Sequence, residues 1–317
     1  MSSQLSRIAR LREGVLGALL ADALGVPHEF KPGHQIPPAH TLELVMPASY
    51  PKTYSAIPYG TWSDDGSQLL CLLESLHAHN GQLNLRHLVG LMQAWLKEGH
   101  HQPGGVAFDV GGQTRHALER WSQGLPVEVH SRGQGNGSLM RTLPAAFLPA
   151  LWGRTPEDAI QVALEQSLAT HPHPVAATCC AVYTQLAMLL LDGHPQSAAE
   201  ALQLAMDLVE DHPTYANQEW RAALVTLRGH GDLPTGSGYC VDTLYSAVWA
   251  LDQGLDYLSV VRAAIGLGSD TDTTACVAGG LAGMVYGVQG EAEAWLPRLT
   301  TPRESRELLR LVFAPAQ

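Results

Sequence analysis

Two short segments, Gly60-Thr61-Trp62-Ser63-Asp64-Asp65-Gly66 and Gly268-Ser269-Asp270-Thr271-Asp272-Thr273-Thr274, each place two carboxylates and a hydroxyl within a few residues. Both open directly into an apolar, helix-like run. Carboxylates this close repel one another, and burial raises their pKa values further unless a cation offsets the charge. Oxygen ligands with no Cys or His beside them suit a hard cation such as Mg²⁺ or Mn²⁺. Two such clusters on helix ends could hold a pair of cations between them, because two-metal sites draw oxygen ligands from different elements. One Asp at a helix start is explained as an ordinary cap, but two Asp with a hydroxyl between them exceed what a cap needs.

Asp-x-Asp-x-Thr also resembles the nucleophile motif of haloacid-dehalogenase-type phosphatases. That motif follows a hydrophobic strand near the start of an α/β domain, whereas here it follows a helical segment late in the chain, and the reading is set aside. A third signal is Gly133-Gln134-Gly135-Asn136-Gly137-Ser138-Leu139-Met140-Arg141, whose glycines let a ligand approach backbone N–H groups that cradle phosphate. Its plainer reading is a turn before a helix at 139–150. Glu29, after Pro27-His28 at a loop entrance, is well placed for a catalytic carboxylate, while Asp22 on an apolar run reads as a satisfied structural acid. His171 and His173 lack a Cys or third His at zinc spacing, so hydrogen bonding is the better reading than ligation.

The elements that must position these residues are helices. Apolar residues recur at three- and four-residue steps in 68–79, 85–97, 156–169, 175–191, 198–210, 217–228, 241–251 and 258–266. Thr155-Pro156-Glu157-Asp158 has the form of a helix start. Few runs of alternating β-branched residues occur, so the fold is predicted to be all-α. No linker-like spacer divides the chain, which predicts a single domain over 1–317. Gly14, Ala18, Ala21 and Gly25 line one face of the first helix, and Ala275, Gly279, Gly283 and Gly287 recur every fourth residue in a late one. Small residues let helix backbones approach closely, and packing of these two would draw the acidic ends together. The non-periodic segments 30–60, 99–113, 130–138 and 229–240 adjoin the motifs and are read as functional loops.

Of 317 residues 45% are hydrophobic and 15% charged, with a net charge of −11 and a mean hydropathy of −0.02. The acidic balance argues against a nucleic-acid footprint over the whole surface. Five cysteines without CxxC spacing read as reduced thiols. Arg7, Arg10 and Arg12 before Gly14–Leu20 imitate a signal peptide, but Glu13 and Asp22 interrupt it and no membrane span is read. A cytoplasmic protein is expected.

In order and combination the motifs resemble the ADP-ribosylglycohydrolase family, which contains the dinitrogenase-reductase-activating glycohydrolases. The resemblance runs through Gly17–Gly25 and Glu29, Trp62–Asp65, Phe108–Gly111, Gly135–Arg141, Thr170-His171, Gly236–Leu244 and Asp270–Thr274. It implies a compact all-α domain with a binuclear Mg²⁺ or Mn²⁺ centre at the base of a cleft. By match to the family motif, Ser63, Asp64, Asp65, Asp270, Asp272 and Thr273 would be metal ligands, with Glu29 a catalytic carboxylate or further ligand. Asp109 and the loop of Gly135, Asn136, Gly137 and Ser138 would contact ADP-ribose, and His171 and Tyr239 would line the pocket. Three departures occur: Ala21 for Gly, Ser63 for Thr, and Gly66 for Thr, the last expected to disturb the support of the ligands.

The implied reaction is hydrolysis of the glycosidic bond between ADP-ribose and an acceptor through an oxocarbenium-like state, with Glu29, Asp65 or Asp109 handling the proton. The alternatives are a non-catalytic ADP-ribose reader of the same fold and a metal-dependent phosphoesterase. Arginine, serine, a metabolite or a nucleic-acid end all fit as acceptor. The loop 30–60, with six prolines, is the expected source of that choice.

Overall fold

The computed structural model describes residues 6–314 except 194–196 and 232. Fourteen α-helices order the described chain. The first half holds α1 (Arg7–Gly25), α2 (Asp64–Ala78), α3 (Leu85–Glu98), α4 (Gly112–Ser122), α5 (Leu148–Trp152), α6 (Pro156–Leu168) and α7 (Pro174–Asp192). The second holds α8 (Ala198–Glu210), α9 (Gln218–Arg228), α10 (Cys240–Gln253), α11 (Tyr257–Gly266), α12 (Thr271–Tyr286), α13 (Glu291–Trp295) and α14 (Arg303–Val312). Extended pairing among the described residues is confined to the isolated bridges Pro32–Gly268 and Gly135–Tyr239. The all-α expectation holds.

Capping chemistry sets many boundaries. Thr155 and Asp158 form a reciprocal capping box at the start of α6, with Pro156 at its first position. Asp256 and Ser259 do the same for α11. Left-handed Gly99 and Gly193 close α3 and α7. The helix expected at 139–150 is broken up: a 3₁₀ segment, Leu143–Phe147, leads into the short α5. Pro144 and Pro149 each lack the N–H that an α-ladder needs. Helix α4 escapes the periodicity because only Thr114, Ala117 and Leu118 on it are buried.

The centre is the α1–α12 pair. A Cβ added at Gly17 would lie 2.5 Å from the Gly279 oxygen, and one at Gly279 only 2.4 Å from Ala21 Cβ. The backbones therefore touch where the small-residue faces meet, as expected. Helix α7 is long and apolar enough to cross a membrane by composition alone, yet 89% of its most apolar window is buried inside the fold. It is a core helix. With α1 and α12 locked together, the start of α12 lies against the end of α1: Thr271 Oγ1 donates to the Gly25 oxygen at 2.9 Å.

Candidate metal centre and ligand cleft

The acids are brought together by backbone contacts first. Asp22, fully buried on α1, accepts from Ser63 N at 2.9 Å through Oδ1 and from Gly66 N at 2.8 Å through Oδ2. It thereby fastens the first turn of α2, two of whose N–H groups have no partner within the helix. Gly66 has no room for a larger residue, since a Cβ would lie 2.7 Å from Leu19 Cδ2 and 2.8 Å from Trp62 Cδ1. Side-chain packing and the Asp22 carboxylate thus take over the support that the departure at this position put in question. Ser63 caps the helix and its hydroxyl donates to Asp65 Oδ2 at 2.9 Å. Thr273 Oγ1 on α12 donates to the same oxygen at 3.3 Å, joining the two acidic segments.

Carboxylate oxygens of Asp22, Asp65 and Asp272 lie within 4.8 Å of one another, and so do those of Glu29, Asp109 and Asp272. Asp272 belongs to both sets. Asp65 Oδ1, Asp272 Oδ2 and Glu29 Oε2 are buried without a hydrogen-bond partner, although buried acceptors are nearly always satisfied. Burial, and then the neighbouring carboxylates, push Asp64, Asp65 and Asp272 well above the usual range. Burial, with Asp109 and Asp270 nearby, raises Glu29 to about 9. Asp22 is raised to about 7 by burial, held back by the Ser63 and Gly66 N–H groups. Oxygen-only donors, unpaired acceptors and this excess of negative charge fit hard divalent cations.

A cleft of about 400 Å³ opens above the acids, lined by Glu29, Asp64, Asp109, Asp270 and Thr273 on its acidic side. Gly135, Asn136, Gly137, His171 and the start of α4 complete the lining. No side chain caps that start, so the N–H groups of Gly112, Gln113 and Thr114 are open to an anion. Gly137 is required by its neighbour, because a Cβ there would sit 2.8 Å from His171 Cε1. Burial, with the nearby Arg141 charge, lowers His171 to about 3, so its ring is neutral. Arg141 Nη2 donates to Thr170 Oγ1 at 2.9 Å, and that hydroxyl lies 2.8 Å from His171 Nδ1. The Arg141–Thr170–His171 chain fixes the orientation of the neutral ring at the cleft.

Left-handed φ angles at Phe30 (61°), Asp109 (53°) and Ser269 (62°) cluster around the acids, a common mark of functional sites. Phe30 N donates to the Ser269 oxygen at 2.6 Å and Ser269 N to the Lys31 oxygen at 2.7 Å, tying the Glu29 loop to α12. Tyr54 Oη donates to Asp109 Oδ1 at 2.8 Å.

Some predicted contacts land elsewhere. Ser138 is fully buried and its hydroxyl is 2.8 Å from Ser167 Oγ, so it braces the loop from behind rather than facing the cleft. Asn136 spends both amide hydrogens, on Asp270 Oδ2 at 2.8 Å and Thr243 Oγ1 at 3.0 Å, leaving only its carbonyl for a ligand. Tyr239 is held beside Gly135 by the backbone bridge and stands outside the residues lining the cleft. Asp109 joins the carboxylate group with Glu29 and Asp272. Sequence reasoning missed the α4 start and the role of Arg141, which is fully buried and also donates to Gln68 Oε1 at 3.0 Å. Gln68 in turn donates to Asp64 Oδ2 at 3.2 Å. An arginine three residues after a Gly-Asn-Gly-Ser turn was the available signal.

A profile of the ADP-ribosylglycohydrolase family matches residues 3–316. The chain is similar to the ADP-ribosylarginine hydrolase Tri1 of Pseudomonas putida (strain GB-1), 28% identical over 312 residues, 96% of this chain and 78% of that one. It is 29% identical over 301 residues to the ADP-ribosyl-[dinitrogen reductase] glycohydrolase of Rhodospirillum rubrum, covering 94% of this chain and 92% of that one. A solved structure titled "ADP-ribosylglycohydrolase-related protein complex" superposes with a TM-score of 0.71 at 29% identity, over 97% of each chain.

Proposed function

The chain belongs to the ADP-ribosylglycohydrolase family, and from that premise we propose that it hydrolyses the glycosidic bond joining ADP-ribose to an arginine side chain. A pair of Mg²⁺ or Mn²⁺ ions is part of the proposal, held by Ser63, Asp64, Asp65, Asp270, Asp272 and Thr273 with Glu29 beside them. When bound, such ions supply Lewis-acid charge and a template for oxygen ligands. The observation that carries the reading is Asp272, which stands in two carboxylate groups at once while its Oδ2, Asp65 Oδ1 and Glu29 Oε2 lack partners.

The chain's own residues account for the rest. The α4 N–H groups and the amides of Gly135 and Gly137 suit the pyrophosphate of ADP-ribose, with the neutral His171 ring beside them. Asp109 sets negative charge where an oxocarbenium-like state develops. Glu29 lines the cleft with Oε2 free, whereas Asp65 is fully buried and accepts from Ser63 and Thr273. We therefore assign the proton transfer to Glu29, with Tyr54 orienting Asp109. Phe30, 69% exposed, stands 6.5 Å from Tyr54, which packs edge-on 5.2 Å from Phe108. An aromatic rim beside two carboxylates suits a guanidinium better than a serine hydroxyl. One catalytic unit over the whole chain, in a compartment that keeps its five unpaired cysteines reduced such as the cytoplasm, completes the proposal.

The test is release of free ADP-ribose from arginine- and serine-linked ADP-ribosyl peptides, side by side, in Mg²⁺ and in EDTA. Metal-dependent release from the arginine peptide is expected. Tight ADP-ribose binding without release from either would convert the protein into a reader, and release of AMP or phosphate would make it a phosphoesterase.

A further inference from the structure

We propose that Glu74, His100 and His101 form a separate metal site, for an ion of the Zn²⁺ class, which clamps α14 to the back of α2. Glu74 sits on the second half of α2, and the two histidines follow directly on the Gly99 turn that ends α3. Nε2 of each histidine lies 2.8 Å from Glu74 Oε2, and one ligand atom from each of the three residues falls within 4.8 Å of the others. A tetrahedral ion with bonds of roughly 2.0–2.1 Å spaces its ligand atoms about 3.3 Å apart. The two gaps between Glu74 Oε2 and the histidine nitrogens, 2.8 Å each, need to open by only about half an ångström to take one.

The arrangement has the outer support that ligating histidines require. His101 is buried, and its Nδ1 lies 2.9 Å from Ser305 Oγ on α14, which fixes the ring and leaves Nε2 for a ligand. Its backbone is in the left-handed region, at φ 61°, where histidine is tolerated better than most residues. That conformation sets its ring 4.1 Å from that of His100. The His101 N–H donates to Glu304 Oε1 at 3.3 Å, bringing a further carboxylate alongside. His100 and Glu74 side chains are 24% and 31% exposed, so an ion has a path from solvent.

Two imidazoles and one carboxylate select Zn²⁺ or Co²⁺ over the hard cations that oxygen-only donors favour. Mg²⁺ in excess fills the carboxylate centre without competing here. The consequence reaches that centre through short links. The His101 oxygen accepts from Trp62 Nε1 at 3.0 Å and Ser67 Oγ at 3.4 Å, and Gln102 Nε2 donates to the Trp62 oxygen at 2.7 Å. Trp62 immediately precedes Ser63, so an ion at Glu74 holds the turn that carries Ser63, Asp64 and Asp65 from behind.

The test uses full-length protein stripped with a chelator and returned to excess Mg²⁺. Co²⁺ titration is expected to give one equivalent per chain with the intense visible absorption of a tetrahedral site, displaced by Zn²⁺, and Zn²⁺ is expected to raise the melting temperature. His100→Ala, at a partly exposed position, and Glu74→Gln are both expected to weaken uptake by at least about tenfold. Circular dichroism checks their fold, and Mg²⁺-supported turnover of His100→Ala is expected to persist, which separates this site from the carboxylate centre. Wild-type protein that takes up no Co²⁺ in excess Mg²⁺ overturns the proposal. So does uptake by both variants equal to wild type, which would leave a hydrogen-bonded Glu–His cluster and nothing more.

Discussion

Replacing Gly279 by Ala adds one methyl group to the face of α12 that touches α1. In an exposed helix the same change stabilises by up to about 1 kcal/mol, because glycine is the poorer helix former. Here the new Cβ falls 2.4 Å from Ala21 Cβ and 2.8 Å from the Gly17 oxygen, well inside the 3.5–4.0 Å at which carbon atoms attract. Neither neighbour is the end of a flexible side chain, so the helices themselves must separate. Overpacking typically costs about 1–3 kcal/mol. With rigid atoms on both sides we take the upper end, about 3, and subtracting about 1 for propensity leaves a net loss of about 2 kcal/mol. Gly90 on α3 is the control: it is exposed and a Cβ there meets nothing within 4 Å, so Gly90→Ala is expected to gain about 0.5–1 kcal/mol. Urea denaturation of both variants in EDTA measures the difference, with unchanged m-values showing that compactness is preserved. Because Ala21 adjoins Asp22, the separation also moves that carboxylate relative to Asp272, and Mg²⁺ should stabilise Gly279→Ala less than wild type. The packing argument fails if Gly279→Ala is as stable as the wild type, or if Gly90→Ala loses as much.

Asp270→Ala should abolish metal-dependent ADP-ribose release with the far-ultraviolet dichroism intact, and retained turnover would refute the two-ion proposal. The metal-free protein should melt lower at pH 8 than at pH 5. Asp22 rises from 3.8 to about 7 and Glu29 from 4.5 to about 9 on folding. The folded state therefore binds the extra protons, and the stability this lends at acid pH is lost as pH climbs through the folded values. Mg²⁺ should flatten or reverse that slope, and a melting temperature that rises with pH in EDTA would contradict the assignment. Gly137→Ala should displace the His171 ring, from which its Cβ would be 2.8 Å distant, and weaken ADP-ribose binding by roughly tenfold, about 1.4 kcal/mol. Calorimetric titration with ADP-ribose reads this directly, and unchanged affinity would remove His171 from the binding surface.

Local pattern determined a good deal of this protein. The predicted helix at 198–210 is α8, and 258–266 covers nearly all of α11 (Tyr257–Gly266), because each strings apolar residues at helical spacing between recognisable caps. The acidic segments, the small-residue faces and Glu29 were legible for the same reason: residue type and near-neighbour spacing carry their chemistry. What the tertiary structure decided is who faces whom. Asn136 and Ser138 look alike in sequence, as polar residues in a glycine-rich turn. Only the fold turns one onto Asp270 and buries the other against Ser167. Asp22 became the fastener of α2, and Asp109 a neighbour of Glu29 and Asp272, through contacts that span tens to hundreds of residues. Hydrogen-bond direction and carboxylate proximity depend on distances between helices packed side by side, and no local spacing encodes those distances.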